Sequence, residues 1–251
     1  MESRKIRPGN PSNLTLKQHV LPVGTIRRFL ATDGKVEVQR RPPKTAVRFR
    51  ATPADGVFWV ERAWDQPSED LYKRTIEDPF QALTDQIVAG KRRFDPTDRR
   101  LVTNFLWLWQ LRFRLQHSPQ PAVKSRIDLK QVPLSQAQQD RLEKNGLYFA
   151  VDNGFSAQQA AGLRMRVDLI ELNRRCPAES VPWTVVTSTG KEFLVPDTTG
   201  EHRAIPVTPH HLLYPGLVGT AANDADVVKV NKAHIASARS YYFARDFGRC
   251  F

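Results

Sequence analysis

Four polar residues stand out in the sequence because their types and surroundings could support chemistry at a phosphate group. His19 lies in a turn-rich basic segment before Pro22, Glu77 lies on an amphipathic stretch of helical period, and Asp197 follows a predicted strand. A histidine can transfer protons near neutral pH, and a carboxylate can act as a base or hold a metal. Arg112 falls in an apolar helical stripe, where a guanidinium requires a partner. We predict these four as catalytic residues.

Glu77 and Asp197 are also the predicted metal ligands, with Mg²⁺ or Mn²⁺ as an optional cofactor. Each residue has a structural alternative as well. A lone histidine often ties a loop, a helical glutamate is often solvated or ion-paired, and aspartate is a common turn residue. Arg112 could pair with Glu77 or Asp197, bind a substrate phosphate, or extend its head to water. The sequence leaves these alternatives open.

The charge of the chain is high and uneven. The net charge is +12, and residues 1–50 contain twelve Lys/Arg against three Asp/Glu, a local net charge of +9. Concentrated basic charge attracts polyanions through counterion release, so we expect nucleic acid as a partner. The predicted nucleic-acid-binding residues are Arg27, Arg28, Arg40, Arg41, Lys44, Arg48 and Arg50.

Acidic and histidine candidates in a basic protein suggest an enzyme that cleaves phosphodiesters, a nuclease of a bacterial defence or toxin-like system. His19 would transfer the proton and Arg112 would neutralise developing charge. The alternatives are a non-catalytic nucleic-acid-binding module, based on the basic first fifth, and an interaction protein for an acidic partner. The sequence has no GxGxxG, GxxxxGK[ST], HExxH or GxSxG motif, which disfavours the corresponding nucleotide-binding and hydrolase mechanisms.

Cysteine usage and hydropathy bear on location. Cys176 and Cys250 are far apart and match no zinc or CxxC spacing, which fits a reducing cytoplasm. Met1 is followed by a charged segment without an apolar run, so no signal peptide is expected. The longest apolar stretch, 101–115, is too short and too charged to cross a bilayer. We expect a cytoplasmic protein that does not enter the membrane.

The pattern of elements predicts a single irregular α+β domain over 14–251, with small antiparallel sheet segments around a central bundle of helices. Residues 1–13 read as a flexible basic arm, and 118–122 as a weak break. Helical periods predict a helix near 76–87, with Pro79 causing a kink or restart, and a central helix from 98 to about 116 with Thr97 as its N-cap.

The predicted strands are short. Three of them, near 36–38, 47–49 and 57–60, are expected to form one small antiparallel sheet. A hairpin is predicted to pair 183–187 with 193–195. A strand over 227–230 is expected to precede a helix that Asn231 caps.

Several segments in this order resemble the bacterial family catalogued as domain of unknown function forty-two thirty-eight. They are 18–22 (QHVLP), 75–77 (TIE), 105–112 (FLWLWQLR), 193–197 (FLVPD), 205–209 (IPVTP), Val230, Asn231, Arg239 and 241–243 (YYF). The resemblance covers most of the chain. The family tends to carry a Thr-Ser-Asp-Asn-Pro-like string, of which only Asp197 is present here. The resemblance implies no reaction, but it directs attention to the polar residues within these segments.

Overall fold

The computed structural model describes residues 5–41, 47–124 and 133–251. It confirms the α+β class, with about 43% helix and 18% strand in one compact domain. The helices are α1 (Val23–Arg27), α2 (Gln66–Tyr72), α3 (Asp78–Val88), α4 (Pro96–His117), α5 (Gln136–Lys144), α6 (Ala157–Arg175) and α7 (Asp224–Ser237). The strands are β1 (Lys17–His19), β2 (Val36–Arg40), β3 (Arg48–Ala51), β4 (Trp59–Glu61), β5 (Val123–Lys124), β6 (Gly154–Phe155), β7 (Trp183–Ser188), β8 (Val195–Pro196), β9 (Ile205–Thr208), β10 (His211–Pro215), β11 (Ala221–Ala222) and β12 (Tyr241–Ala244).

The strands of the described residues form four small sheets. Two sheets have four strands, in the orders β3-β2-β12-β8 and β11-β7-β10-β9, and the pairs β1-β4 and β5-β6 form ribbons. All pairings are antiparallel except that of β11 with β7. The small sheets around helices therefore match the predicted architecture.

One hydrophobic cluster joins the N-terminal strands, α3, α4 and β12. Phe80 of α3 stacks on Phe105 of α4 with 3.6 Å between ring centroids. Phe243 of β12 meets Phe29 and Phe58 edge to face, at 5.7 and 5.4 Å. Because residues from both ends of the chain share this core, the described residues form one compact domain. The boundary of this domain at residue 14 stays a prediction.

The central helix α4 is buried on most faces, as its sequence predicts. Its start differs from the prediction. Asp95, rather than Thr97, is the N-cap: its side chain accepts the Asp98 amide, and Asp98 returns the contact to form a capping box, with Pro96 in the first turn. Aspartate is a better N-cap than threonine and Pro suits the first helical position, so the helix begins earlier.

The region around Pro79 is continuous helix with a wide turn. Between α2 and α3 the backbone forms a π-helical turn over Lys73–Glu77, directly before the proline. Proline lacks an amide hydrogen and its ring crowds the carbonyl four residues earlier, and a π turn relieves both problems locally. The predicted kink or restart at Pro79 is thus realised as a change of helical pitch.

Two predicted strand pairings are wrong. The strand at 59–61 pairs with β1 and not with β3, so the three early strands do not form one sheet. The predicted hairpin between 183–187 and 193–195 is absent from the described residues: β7 pairs with β10 and β11, and β8 pairs with β12. These partners are distant in sequence, whereas turn residues predict pairing only between strands that follow each other along the chain.

The last helix also begins earlier than predicted. Asn223 caps α7 and forms a capping box with Asp226, so 227–230 is helical and not a strand. Asn231 is completely buried within the helix, where its side chain accepts the Leu194 amide and donates to two backbone carbonyls. Asn231 therefore ties α7 to its neighbours and does not cap it.

The N-terminal segment differs from the flexible arm predicted over 1–13. In its described part the Arg7 amide donates to Asp140 Oδ2 (2.9 Å), and Lys144 Nζ donates to the Asn13 carbonyl (3.1 Å). These contacts hold the segment against α5. No helix in the described ranges combines the length and apolar character needed to span a membrane.

Candidate functional site

Three of the four predicted site residues meet around the buried guanidinium of Arg112. Only 1% of the Arg112 side chain is exposed. Its Nη2 lies 2.5 Å from Glu77 Oε1 and 3.2 Å from Glu69 Oε2. Its Nη1 donates to the backbone carbonyl of His19 at 3.3 Å. The guanidinium also lies over the Trp64 ring, 5.0 Å from its centroid. The helical stripe in α4 thus places a cation between two carboxylates.

Local structure explains why these carboxylates converge. Glu69 is in the first turn of α2, and its Oε2 also accepts the Trp64 indole N–H at 2.6 Å. Glu77 ends the π turn, whose extra residue rotates the following helix and sets the direction of the Glu77 side chain. Glu69 was missed in the sequence, although its i, i+8 spacing to Glu77 is compatible with one face of a helix.

The Arg112 cluster carries an excess of acid. Burial raises the pKa of Glu77, Arg112 opposes this shift, and the negative charge of Glu69 adds to it. Burial alone would lower the pKa of Arg112, but Glu77 and Glu69 outweigh it and the pKa rises. The arginine therefore stays charged. The cluster thus has two carboxyl groups for one guanidinium.

His19 presents one ring nitrogen for chemistry. Its Nε2 lies 3.0 Å from the Pro53 carbonyl, which can only accept, so Nε2 carries the hydrogen. Nδ1 is then the unprotonated nitrogen. It has no hydrogen-bond partner among the residues described, and it is not fully buried. Burial lowers the pKa of His19. The hydrogen bond to Pro53 and the charge of Glu69 oppose this shift, and Arg112 and Lys17 add to it. A neutral imidazole with an open Nδ1 can accept a proton near pH 7.

The β1-β4 ribbon brings a cation and an aromatic ring to this histidine. Lys17 is two residues before His19 on β1 and shares its face, since Gln18 between them is buried. Lys17 Nζ lies 4.9 Å from the centroid of Trp59, which pairs with His19 across the ribbon. Lys17 was not predicted as a site residue, although its i, i+2 spacing to His19 on a strand was available as a signal.

Asp197, the fourth predicted residue, belongs to a different environment. Its carboxylate accepts the backbone amides of Arg239, Ser240 and Tyr241 at 2.8, 2.6 and 3.3 Å. Its carbonyl accepts the Trp109 indole N–H at 3.0 Å. Burial raises the pKa of Asp197, and the three amide hydrogen bonds oppose this rise. These contacts give Asp197 a structural role: it closes the turn between α7 and β12.

The predicted metal site finds no support in this geometry. The Glu77 carboxylate lies on Arg112, and the Asp197 carboxylate is occupied by three amide hydrogens. Within the described part of the chain, His, Cys, Asp and Glu side chains form no group of three or more suited to a metal ion. Glu77 and Asp197 as shared ligands of Mg²⁺ or Mn²⁺ stay a prediction.

The predicted nucleic-acid-binding residues are less free than their charge suggests. Most of them pair locally: Arg28 with Asp85, Arg48 with Glu37, and Arg50 with Asp33, while Arg41 caps carbonyls at the end of α7. Arg40 lies over Phe49 at 5.4 Å, and Arg27 is exposed; neither forms an ion pair within the described residues. Lys44 lies outside these residues. Of the predicted set, Arg27 and Arg40 are thus the exposed cations that lack an acidic partner among the residues described.

Comparison with known proteins adds no assignment. A scan of protein-family models, a search of curated proteins and a search of solved structures each found no match. The resemblance to the family named above therefore stays a prediction, and any function must be argued from the geometry around His19.

Proposed function

We propose that the protein cleaves phosphodiester bonds in nucleic acid at the surface formed by Lys17, His19 and Trp59. The observation that carries this proposal is the fixed tautomer of His19, whose Nε2–H is held by Pro53 while Nδ1 is open. A histidine held in this way can act as a general base without reorienting.

The chemistry would divide between two side chains. His19 Nδ1 accepts the proton of the attacking hydroxyl or water as its oxygen bonds to phosphorus. The ammonium of Lys17 lies close enough to affect the pKa of His19, and it can stabilise the negative charge that develops on the phosphate. The bond to the leaving oxygen breaks, and this oxygen takes its proton from solvent. The ring of Trp59 holds the Lys17 ammonium beside His19.

Arg112 has a different role here from the one predicted. Because its guanidinium is buried and engaged by Glu77 and Glu69, it is not available to bind a substrate phosphate. Its hydrogen bond to the His19 carbonyl makes it a positioning residue for β1. Glu77 is its counterion, which corresponds to the internal pair that the sequence left open.

A second candidate is a module that binds nucleic acid without cleaving it. Arg27 and Arg40 favour it, since both are exposed and have no acidic partner among the residues described. Such binding would depend steeply on salt and would leave the substrate intact.

The test is a cleavage assay on RNA, single-stranded DNA and duplex DNA, with and without Mg²⁺ or Mn²⁺. His19→Ala should lower the rate by about a hundredfold or more, the usual contribution of a general base. His211→Ala is the matched control. His211 is also half-buried with a pKa lowered by burial, and among the residues described its side chain bonds only to Thr208. It should cleave like the wild type.

The outcomes separate the candidates. Cleavage that survives His19→Ala would refute the proposed base. Retarded but intact nucleic acid, with affinity falling as salt rises, would establish the binding module. If the assay shows neither cleavage nor retardation of nucleic acid, the next search should be for an acidic protein partner. Growth arrest of bacteria that express the wild type, relieved by His19→Ala, would support a toxin-like role.

A further inference from the structure

A largely apolar cavity of about 450 Å³ lies between the β7-β10 sheet and α7. Its walls include Val186 of β7, Leu212 of β10, and Val230 and Ala233 on one face of α7. Phe193, His202 and Tyr214 also contribute to the lining. A cavity of this size and lining falls in the range of small-molecule binding sites.

Charged groups at the cavity are few. Asp226 and Lys229 line it from the first two turns of α7. Asp226 Oδ2 accepts the Asn223 amide within the capping box, which directs this carboxylate to the N-terminus of α7. Lys229 is exposed and forms neither an ion pair nor a hydrogen bond through its side chain within the described residues. Of these two charged side chains, Lys229 is therefore the one without a partner in this part of the chain.

The segment beside the cavity exposes apolar side chains to solvent. Val218, which lines the cavity, is 43% exposed, and the adjacent Leu217 is 88% exposed. Apolar side chains grouped at the entrance of an apolar cavity are typical of binding sites and not of a bare surface.

We propose that this cavity binds a small amphipathic anion. Its hydrocarbon body would lie against Val186, Leu212 and Ala233, and its carboxylate or similar acidic group would lie beside Lys229. The apolar lining would contact the hydrocarbon body of the ligand, and the Lys229 ammonium would contact its acidic head group. This site shares no residue with the Lys17, His19 and Trp59 surface, so it is independent of the proposed cleavage activity.

The test is calorimetric titration of the full chain with octanoate and with octanol, which has the same chain length without the charge. Octanoate should bind at one site about three- to fivefold more tightly than octanol, the effect of one solvent-exposed charge pair. Lys229→Gln should remove this difference. Lys232→Gln is the matched control, since Lys232 is exposed on the same helix and does not line the cavity.

A second variant tests the cavity itself. Ala233→Phe should abolish binding of both compounds by filling the space, with circular dichroism verifying that it folds. If Ala233→Phe does not fold, Lys229→Gln alone decides, because its change lies on the surface. The proposal is overturned if neither compound binds, if octanol binds as tightly as octanoate, or if Lys229→Gln and Lys232→Gln behave alike. Cleavage of nucleic acid by these variants should match the wild type.

Discussion

Two clusters of buried charge in this protein have opposite compositions. In the first, Arg112 is buried at 1% exposure while its partners Glu69 and Glu77 keep 16% and 12% of their side chains exposed. In the second, Glu192 is completely buried while its partners Arg245 and Arg249 are 31% and 53% exposed. The first cluster has two carboxylates for one cation, and the second has two cations for one carboxylate.

This difference shows how a buried ion determines what a cluster presents to its surroundings. A desolvated ion requires partners, and the surplus charge then lies with the partners nearest water. The Arg112 cluster presents carboxylates beside His19, where charge can influence proton transfer. The Glu192 cluster presents guanidinium groups to solvent, where they are hydrated and screened. We therefore associate the first cluster with the proposed cleavage chemistry and the second with holding the C-terminal segment.

The largest effect should come from removing the cation of the first cluster. Arg112→Met keeps a similar side-chain volume but leaves Glu69 and Glu77 close together without a counterion. We expect the free energy of unfolding to fall by about 3–5 kcal/mol at pH 7, the usual cost of breaking a buried pair. Urea denaturation measures it, and a loss under about 1 kcal/mol would mean that the cluster is effectively solvated.

The control for this change is the double variant of Arg112→Met with Glu77→Gln. Since the second substitution removes one of the stranded carboxylates, the combined loss should be smaller than the sum of the separate losses. Strict additivity would argue that the two residues are not energetically coupled.

A pH-dependent effect of intermediate size is expected near the second cluster. His234 is completely buried, its Nδ1 lies 3.1 Å from the Leu194 carbonyl, and burial lowers its pKa from 6.5 to about 4. The unfolded chain therefore binds a proton between these values that the folded chain does not. The stability contribution of neutral His234 is present above pH 6.5 and is lost as pH falls through about 4.

The size of this loss follows from the shift in pKa, about 2–3 kcal/mol by pH 4. His234→Gln should make the free energy of unfolding less dependent on pH between 6.5 and 4, whatever its effect at pH 7. Lys232→Gln changes an exposed side chain of the same helix and should keep the wild-type slope. Equal slopes for the wild type and His234→Gln would show that His234 does not titrate in this way.

The smallest effect should come from the exposed side of the second cluster. Arg249→Met removes a guanidinium whose Nε is 2.8 Å from Glu192, but Arg245 still pairs with that carboxylate. We expect a loss of less than about 1 kcal/mol, as for other exposed ion pairs. Thermal unfolding in low and high salt measures this loss and its screening. A cost similar to that of Arg112→Met would remove the distinction between the clusters.

Much of the helical structure was predictable because helical patterns are local. The apolar stripe of α4 correctly placed Arg112 in the core, and the need for a partner suggested Glu77. The role of His19 as a residue tied to a loop by hydrogen bonding was among the alternatives and is observed through Pro53. Helix starts were less accurate, since several residues near each start, such as Asp95 and Thr97, could serve as caps.

The sequence by itself determined the α+β class, the buried central helix and the pairing requirement of Arg112. These depend on periodicity and on the cost of burying charge, which act at fixed spacing along the chain. Only the tertiary structure decided that Glu69 joins Arg112, that Lys17 and Trp59 adjoin His19, and that Asp197 lies elsewhere on backbone amides. Strand pairing and side-chain convergence join residues far apart in sequence, and no local pattern specifies which distant partner is chosen.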